Sequence, residues 1–133
     1  MLGLAEVRDW LKGFGIGENL YIGKLDNKKD KSLGVYQRKN DLPPRMTLGG
    51  WENAAYEVKP VSILLHWNKN ARETEEASFD LYKKLQSITD TTINSLPIYK
   101  LILRNNEPID VGADEKGVYE RVIEFDLIYE RKV

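Results

Sequence analysis

Few residues in this chain could do chemistry, and His66 is the single histidine among its 133 residues. Acid–base catalysis needs a carboxylate positioned beside the imidazole, and the sequence alone does not supply that partner. We therefore interpret His66 as a hydrogen-bonded histidine near the end of a strand. A small enzyme that uses His66 with nearby carboxylates stays open as a third hypothesis. The chain has no cysteine, which excludes a thiol nucleophile and a thiolate metal site.

Two further patterns resemble binding sites but lack the context that such sites need. Gly13, Gly15 and Gly17 form a G-x-G-x-G string after a predicted helix, whereas a dinucleotide-binding fingerprint needs a strand before its glycines. A magnesium site usually needs carboxylates that converge in a pocket. The four carboxylates at the start of a second predicted helix instead complement its dipole: Glu73, Glu75, Glu76 and Asp80. We expect no cofactor and no metal.

The elements that must position these residues are organised around residues 58–88. The run VKPVSILLHW is rich in β-branched residues and apolar on both faces, which predicts a strand covered on both sides. After it the apolar period becomes helical. Asn70 can cap the helix, and Glu73 stands in the capping-box position. A buried strand that leads into an amphipathic helix is therefore the predicted centre of the fold.

The remaining elements predict a single α+β domain over residues 1–133. LAEVRDWLKGFG reads as a helix, and NLYIGKL and LGVYQRK read as an antiparallel hairpin with a short polar link. IYKLILR should pair with the alternating run VYERVIEFDLIYERKV. One face of this run is apolar, and the other is mixed and expected to be half exposed to solvent. The segments between elements are expected to be polar breaks or turn-rich connections: TDTTINSLP and NNEPIDVGADEKG. The predicted architecture is two helices packed on a mainly antiparallel sheet of four to five strands.

Charge is unevenly distributed along a chain whose formal net charge is -1. Residues 24–45, the basic stretch, carry seven Lys and Arg against three Asp, and residues 105–120, the acidic stretch, carry five Asp and Glu against one Lys. Two unrelated solvated patches are one interpretation, because charged turns are common. Tyr21 and Tyr36 beside the lysines support another, a small nucleic-acid-binding α+β module that uses the basic hairpin around residues 24–45. The near-neutral total charge argues against that alternative.

Two long segments are similar to a known family: GGWENAAYEVKPVSILLHWNKNARETEEASFDLYKKL and PIDVGADEKGVYERVIEFDLIYER. Their features are a strand ending in a short polar turn, a helix of A-x-x-x-L-Y-x-x-L type, a P-I-D-V-G segment, and a turn into a long alternating strand. Together with the leading helix, this order resembles the minor capsid and tail terminator proteins of long-tailed bacteriophages. The resemblance spans roughly the whole chain.

The resemblance implies a non-enzymatic structural protein of the virion tail or neck, assembled in the cytoplasm of a bacterial host. Such proteins form a closed homo-oligomeric ring of six copies that caps the tail tube and joins it to the head connector. The implied partners are further copies of the chain, the tail-tube protein and the head–tail connector protein, and no membrane. Contact with DNA passing through the ring stays open. Gly49-Gly50 matches the mobile central loop of the family, which faces the ring axis or a neighbouring tail component.

A ring is built from heterologous contacts, in which one patch of a subunit meets a different patch of the next. The basic and acidic stretches are the candidate patches, and their screened charges would set register more than affinity. Large aromatic residues would supply the apolar contact. The predicted interaction residues are Lys28, Lys29, Lys31, Arg38, Arg45, Trp51, Tyr56, Asp110, Asp114 and Glu115.

Overall fold

The computed structural model describes residues 2–26, 28–38 and 56–130. This part of the chain contains two helices and a curled mixed sheet of seven strands. In chain order the elements are α1 (Leu4–Lys12), β1 (Asn19–Ile22), β2 (Ser32–Gln37), β3 (Tyr56–His66), α2 (Ala71–Gln86), β4 (Thr91–Ile93), β5 (Leu96–Leu103), β6 (Ile109–Ala113) and β7 (Tyr119–Glu130). The strand order is β1-β2-β3-β7-β5-β4, and β6 also pairs with β7. Arg45, Trp51 and the Gly49-Gly50 segment lie outside the described residues.

The long strands β3 and β7 form the middle of the sheet. They pair antiparallel along their whole length, from Tyr56 opposite Glu130 to His66 opposite Glu120. Both helices pack against one face of the sheet, and their apolar residues join a single buried cluster with the inward side chains of the strands. The predicted alternation of β7 is confirmed, because its core residues are Ile123, Phe125, Leu127 and Tyr129.

The start of α2 follows directly from β3, and the predicted cap is confirmed. The Asn70 side chain accepts hydrogen bonds from the backbone N–H groups of Arg72 and Glu73, at 3.0 and 3.1 Å. The Glu73 carboxylate does not close a capping box on Asn70. It accepts instead from the Asn68 amide, at 2.9 Å. The connection between β3 and α2 is thereby fixed at the end of the sheet where His66 lies.

The second face of the sheet, which we call the open face, is less covered than the sequence suggests. Ser62 and Leu64 of β3 point away from the helices and are partly exposed. Asp126 and Glu124 of β7 lie on the same face, so a second apolar layer has no continuous surface to pack on. On this face of β3, Pro60 and His66 are buried while Ser62 and Leu64 are partly exposed, so the expected cover on the second side is present in part.

The predicted antiparallel hairpin of β1 and β2 is also wrong, because β1 runs parallel to β2. The link must therefore carry the chain back along the sheet, and it crosses the open face over Gly34. A Cβ built on Gly34 would lie 3.1 Å from the Gly23 carbonyl oxygen and 3.3 Å from the Leu25 side chain. Leu25 is only 8% exposed, so it anchors the returning link to the sheet. One apolar residue inside a lysine-rich segment thus holds the link against the sheet in the parallel arrangement.

The sheet has more strands than predicted because two short strands form in segments that read as polar. β4 joins β5 through a two-residue turn at Asn94 and Ser95, whose φ angles of 49° and 64° are those of a tight hairpin turn. β6 forms within the turn-rich connection and pairs with β7. The pairing of β5 with β7 and the α+β class with two helices are confirmed. The prediction of four to five mainly antiparallel strands is wrong in the number of strands and in the parallel pair.

Candidate functional site

Lys28, Lys29 and Lys31 of the basic stretch and residues 114–118 of the acidic stretch, the acidic turn, extend from the same end of the sheet. Ser32 of β2 lies opposite His66 of β3, and His66 lies opposite Glu120 of β7. The lysines precede Ser32, and the acidic turn precedes Glu120. Since strands are about 4.8 Å apart, the strand ends from which the two charged loops extend are about 10 Å apart. This end of the sheet, with the loops that extend from it, is the candidate assembly surface.

The lysine loop, residues 23–31, presents three of the predicted interaction residues to solvent. Lys28, Lys29 and Lys31 are exposed, and no ion pair within the described part of the chain engages their ammonium groups. The loop backbone is well held, because Asp26 Oδ1 accepts from the Lys28 N–H at 2.9 Å and the Trp67 carbonyl accepts from the Lys31 N–H at 2.7 Å. The loop therefore presents exposed lysine side chains on a backbone that is hydrogen-bonded at Lys28 and Lys31.

Arg38 does not join the lysine loop. It follows the opposite end of β2, where it forms an ion pair with Asp126 on the open face. Its side chain is only 15% exposed, and Arg104 lies 3.3 Å from the same carboxylate. Most of the Arg38 side chain is therefore in contact with its own chain. Arg38 lies apart from the lysine loop, so the two do not form one continuous basic patch.

The acidic turn, residues 114–118, is organised by Asp114. Its Oδ1 accepts hydrogen bonds from the backbone N–H groups of Lys116 and Val118, at 2.9 and 3.0 Å. The bond from Val118 is the main reason why the pKa of Asp114 is lowered. Asp114 therefore shapes the turn, whereas the neighbouring Glu115 is exposed and points its charge to solvent.

Asp110 lies on β6, beside the acidic turn. Its side chain is 63% exposed and lies 3.7 Å from the Arg121 guanidinium, which also contacts Glu75 of α2 at 3.2 Å. Arg121 is 14% exposed and joins β6 to the helix layer. Asp110 thus keeps most of its surface available to a partner.

His66 does meet acidic groups, as an acid–base site would require. Its Nδ1 lies 3.0 Å from Glu120 Oε2 and 3.7 Å from Asp114 Oδ2. A carboxylate only accepts, so Nδ1 carries a proton in this contact. The ring is 0% exposed, however, so a substrate cannot reach it in this conformation. The histidine joins the acidic turn to the end of β3, which agrees with its interpretation as a hydrogen-bonded strand-end residue.

Neither a metal site nor a membrane span is found in the described part of the chain. No group of three or more His, Cys, Asp and Glu side chains there is arranged to hold a metal ion. Neither α1 nor α2 is long and apolar enough to cross a bilayer.

A family model described as bacteriophage tail terminator protein matches residues 5–131. The chain belongs to this family. No curated protein matches the chain. Membership of the tail terminator family makes the protein a structural component of a phage tail, which contacts other tail or head components. The resemblance inferred from the order of the sequence features is thereby confirmed.

For a tail terminator, exposed apolar side chains are candidates for contact with other virion proteins. Tyr56, a predicted interaction residue, is 43% exposed and forms a pair with Tyr99, with ring centroids 4.9 Å apart. Tyr99, which is 67% exposed, was not among the predicted interaction residues. Neither were Ile22 and Val111, which are 42% and 48% exposed on β1 and β6. The apolar surface therefore lies in two places, at the Tyr56–Tyr99 pair and along the two strand edges.

Proposed function

We propose that the protein forms a closed homo-oligomeric ring of six copies that caps the tail tube and joins it to the head connector, without catalysis. Membership of the tail terminator family over residues 5–131 is the observation that carries this proposal. The function is then one of shape and contact, and the partners are further copies of the chain, the tail-tube protein and the connector protein.

The surroundings of His66 favour a structural role over an enzymatic one. Its ring is fully buried against Glu120 and Asp114, so no surface of the imidazole is accessible to a substrate. Two shallow hollows on the described surface lie elsewhere and are not lined by His66. One is lined by Gly15, Ile16, Gly17, Glu18, Lys31, Trp67, Ala77 and Asp80, and the other by Glu6, Asp9, Trp10, Thr92, Ile93 and Asn94.

The charge distribution supports assembly from heterologous contacts. Along the sheet, the lysine loop joins the edge strand β1 to β2, and the acidic stretch contains β6, with β3 and β7 between them. Identical copies placed side by side would bring the basic side of one against the acidic side of the next. Such charges steer association and fix the relative position of the copies, while apolar contact supplies most of the affinity.

Light scattering coupled to size exclusion tests the ring. We expect the concentrated protein, or the protein mixed with purified tail tubes, to give a mass that is a multiple of 15.3 kDa, with closed rings in negative-stain micrographs. Co-sedimentation with tail tubes tests the capping role. A protein that stays monomeric at high concentration and does not sediment with tubes would contradict the proposal.

A fluorescence titration with single-stranded oligonucleotide at two salt concentrations decides whether nucleic acid is a partner. Binding driven by phosphate contacts weakens steeply as salt rises. Tyr36 is only partly exposed, and its Cε2 lies close to Gly34, where a Cβ would be 2.9 Å away, so part of the proposed stacking residue is already in contact with the sheet. We therefore expect no salt-dependent binding by the isolated chain.

A further inference from the structure

The register places β1 and β6 at the same height on opposite edges of the sheet. One row of paired residues runs through five strands: Leu20, Leu33, Leu65, Arg121 and Asp110. The next row starts at Tyr21 of β1 and ends at Ile109 of β6. At this end of the molecule the sheet therefore has five strands, and its two edges are level.

The two edges also have opposite strand directions. β1 is parallel to β2, β2 is antiparallel to β3, β3 to β7, and β7 to β6. A copy of the chain set beside another in the same orientation would therefore place its β1 antiparallel to the β6 of its neighbour. Antiparallel pairing is the more stable of the two ladder types, and both edges are unpaired within the described residues.

The side chains at the two edges complement each other. Ile22 on β1 and Val111 on β6 are apolar and about half exposed. The lysine loop, which joins β1 to β2, has four lysines against two aspartates, and the segment around β6, residues 107–116, has four acidic residues against one lysine. The opposite charges beside the two edges make β1 of one copy and β6 of the next fit each other better than either edge fits its own copy.

We propose that the outer edge of β1 in one copy pairs with the outer edge of β6 in the next copy, so that the sheet continues from subunit to subunit. This inference rests on the proposed ring and names the two surfaces that build it. The strand that pairs with each edge comes from a second copy of the chain. β1 and β6 are level, run in opposite directions and have segments of opposite charge beside them. The contact is heterologous, and such contacts close into rings when the rotation between copies divides the circle.

Cysteine cross-linking tests the pairing in a chain that has no cysteine of its own. Extending the two rows places Asn19 of one copy opposite Val111 of the next. We expect the Asn19→Cys, Val111→Cys double variant to give a ladder of covalent multimers after mild copper-catalysed oxidation. A mixture of the two single variants should give linked dimers only, and each single variant alone should stay monomeric on a denaturing gel.

The matched control is the Asn19→Cys, Tyr99→Cys variant, since Tyr99 is more exposed than Val111 but lies on β5. We expect the test variant to cross-link at least about tenfold faster, because paired edges hold the thiols at a high effective concentration. Equal rates, or dimers from a single variant, would overturn the edge pairing. If light scattering shows multimers that do not cross-link, the edge inference fails and the ring stands. If no multimer forms in concentrated protein or with tail tubes, both fail.

Discussion

The lysine loop and the acidic turn extend from the same end of the sheet with opposite charge, yet the protein holds them in different ways. The lysine loop is anchored mainly by an apolar side chain, Leu25, packed over Gly34, with a single carboxylate contact in which Asp26 accepts from the Lys28 N–H. The acidic turn is anchored by polar contacts from Asp114 to its own backbone and to His66. Apolar burial does not depend on proton concentration, whereas a carboxylate network does. The two loops should therefore respond differently to pH and to truncation of their anchors.

The largest effect is expected at the anchor of the acidic turn. His66→Ala removes a fully buried ring and leaves the Glu120 carboxylate without that hydrogen bond. We expect a loss of about 3 kcal/mol in the free energy of unfolding, from the cavity and the lost hydrogen bond together. Urea denaturation followed by circular dichroism measures it.

His66→Asn is the matched control for this change. The asparagine amide can donate from near the position of Nδ1, so the loss should be clearly smaller than for alanine. If both variants unfold within about 0.5 kcal/mol of the parent protein, the histidine does not anchor the turn.

A smaller effect is expected at the anchor of the lysine loop. Leu25→Ala removes a buried side chain at the edge of the structure, and we expect a loss of about 2 kcal/mol. Hydrogen exchange should accelerate in residues 28–31 and stay unchanged in the acidic turn. Ile22→Ala is the control, because Ile22 is 42% exposed and should cost well under half as much. Faster exchange in both loops would show that the two anchors are not independent.

A fall in pH should affect the two loops differently even when neither anchor is truncated. The pKa of Asp114 is lowered from its usual 3.8, mainly by the hydrogen bond from the Val118 backbone N–H. The folded protein thus favours the ionised form, so this stabilisation is complete above the usual pKa and is lost as the pH falls through the lowered one. The protection of the acidic-turn amides from hydrogen exchange, relative to their intrinsic rates at each pH, should fall below pH 3.8. The protection of the lysine-loop amides should change less.

Asp114→Asn provides the control for the pH experiment. The amide oxygen can still accept from Lys116 and Val118, but the side chain no longer titrates. The free energy of unfolding of this variant should therefore depend less steeply on pH in the acidic range. An unchanged slope would mean that other carboxylates carry the acid sensitivity of this end of the sheet.

The long periodic elements could be predicted from the sequence, because their signals are local. The apolar period of α2 and its Asn70 cap lie within one segment, as does the alternation of β7. The direction of β1 could not be predicted in the same way. The link that returns the chain packs Leu25 over Gly34, and this contact has no local signal in a charge-rich loop, which reads as a hairpin tip.

The contacts that engage His66 and the predicted residue Arg38 could not be predicted from the sequence, because they join residues far apart in the chain. His66 meets Glu120 across 54 positions, and Arg38 meets Asp126 across 88 positions. Only the strand register brings these pairs together. The exposed lysines and Glu115 were found correctly as surface charges, since solvated turns have a local composition signal. The level edges of β1 and β6 follow from the register alone.

Charge reversal in the lysine loop is expected to have the smallest effect on stability. It should weaken assembly much more than it lowers the free energy of unfolding. Lys28, Lys29 and Lys31 are exposed and make no ion pair within the described residues, so changing all three to Glu should alter the free energy of unfolding by less than about 1 kcal/mol. Assembly, measured by light scattering over a range of salt concentrations, should weaken and lose its normal salt dependence. Reversing Lys12, Lys83 and Lys100, which are exposed elsewhere, controls for net charge.

A compensating variant decides whether the two loops act on each other. Adding Glu107→Lys and Glu115→Lys to the reversed lysine loop restores opposite signs on the two edges, because both glutamates are exposed beside β6. If the basic side of one copy meets the acidic side of the next, this variant should assemble again, with the salt dependence of the parent protein. If the first reversal leaves assembly and its salt dependence unchanged, the charges are two unrelated solvated patches. The apolar edges at Ile22 and Val111 would then have to set the register of the copies by themselves.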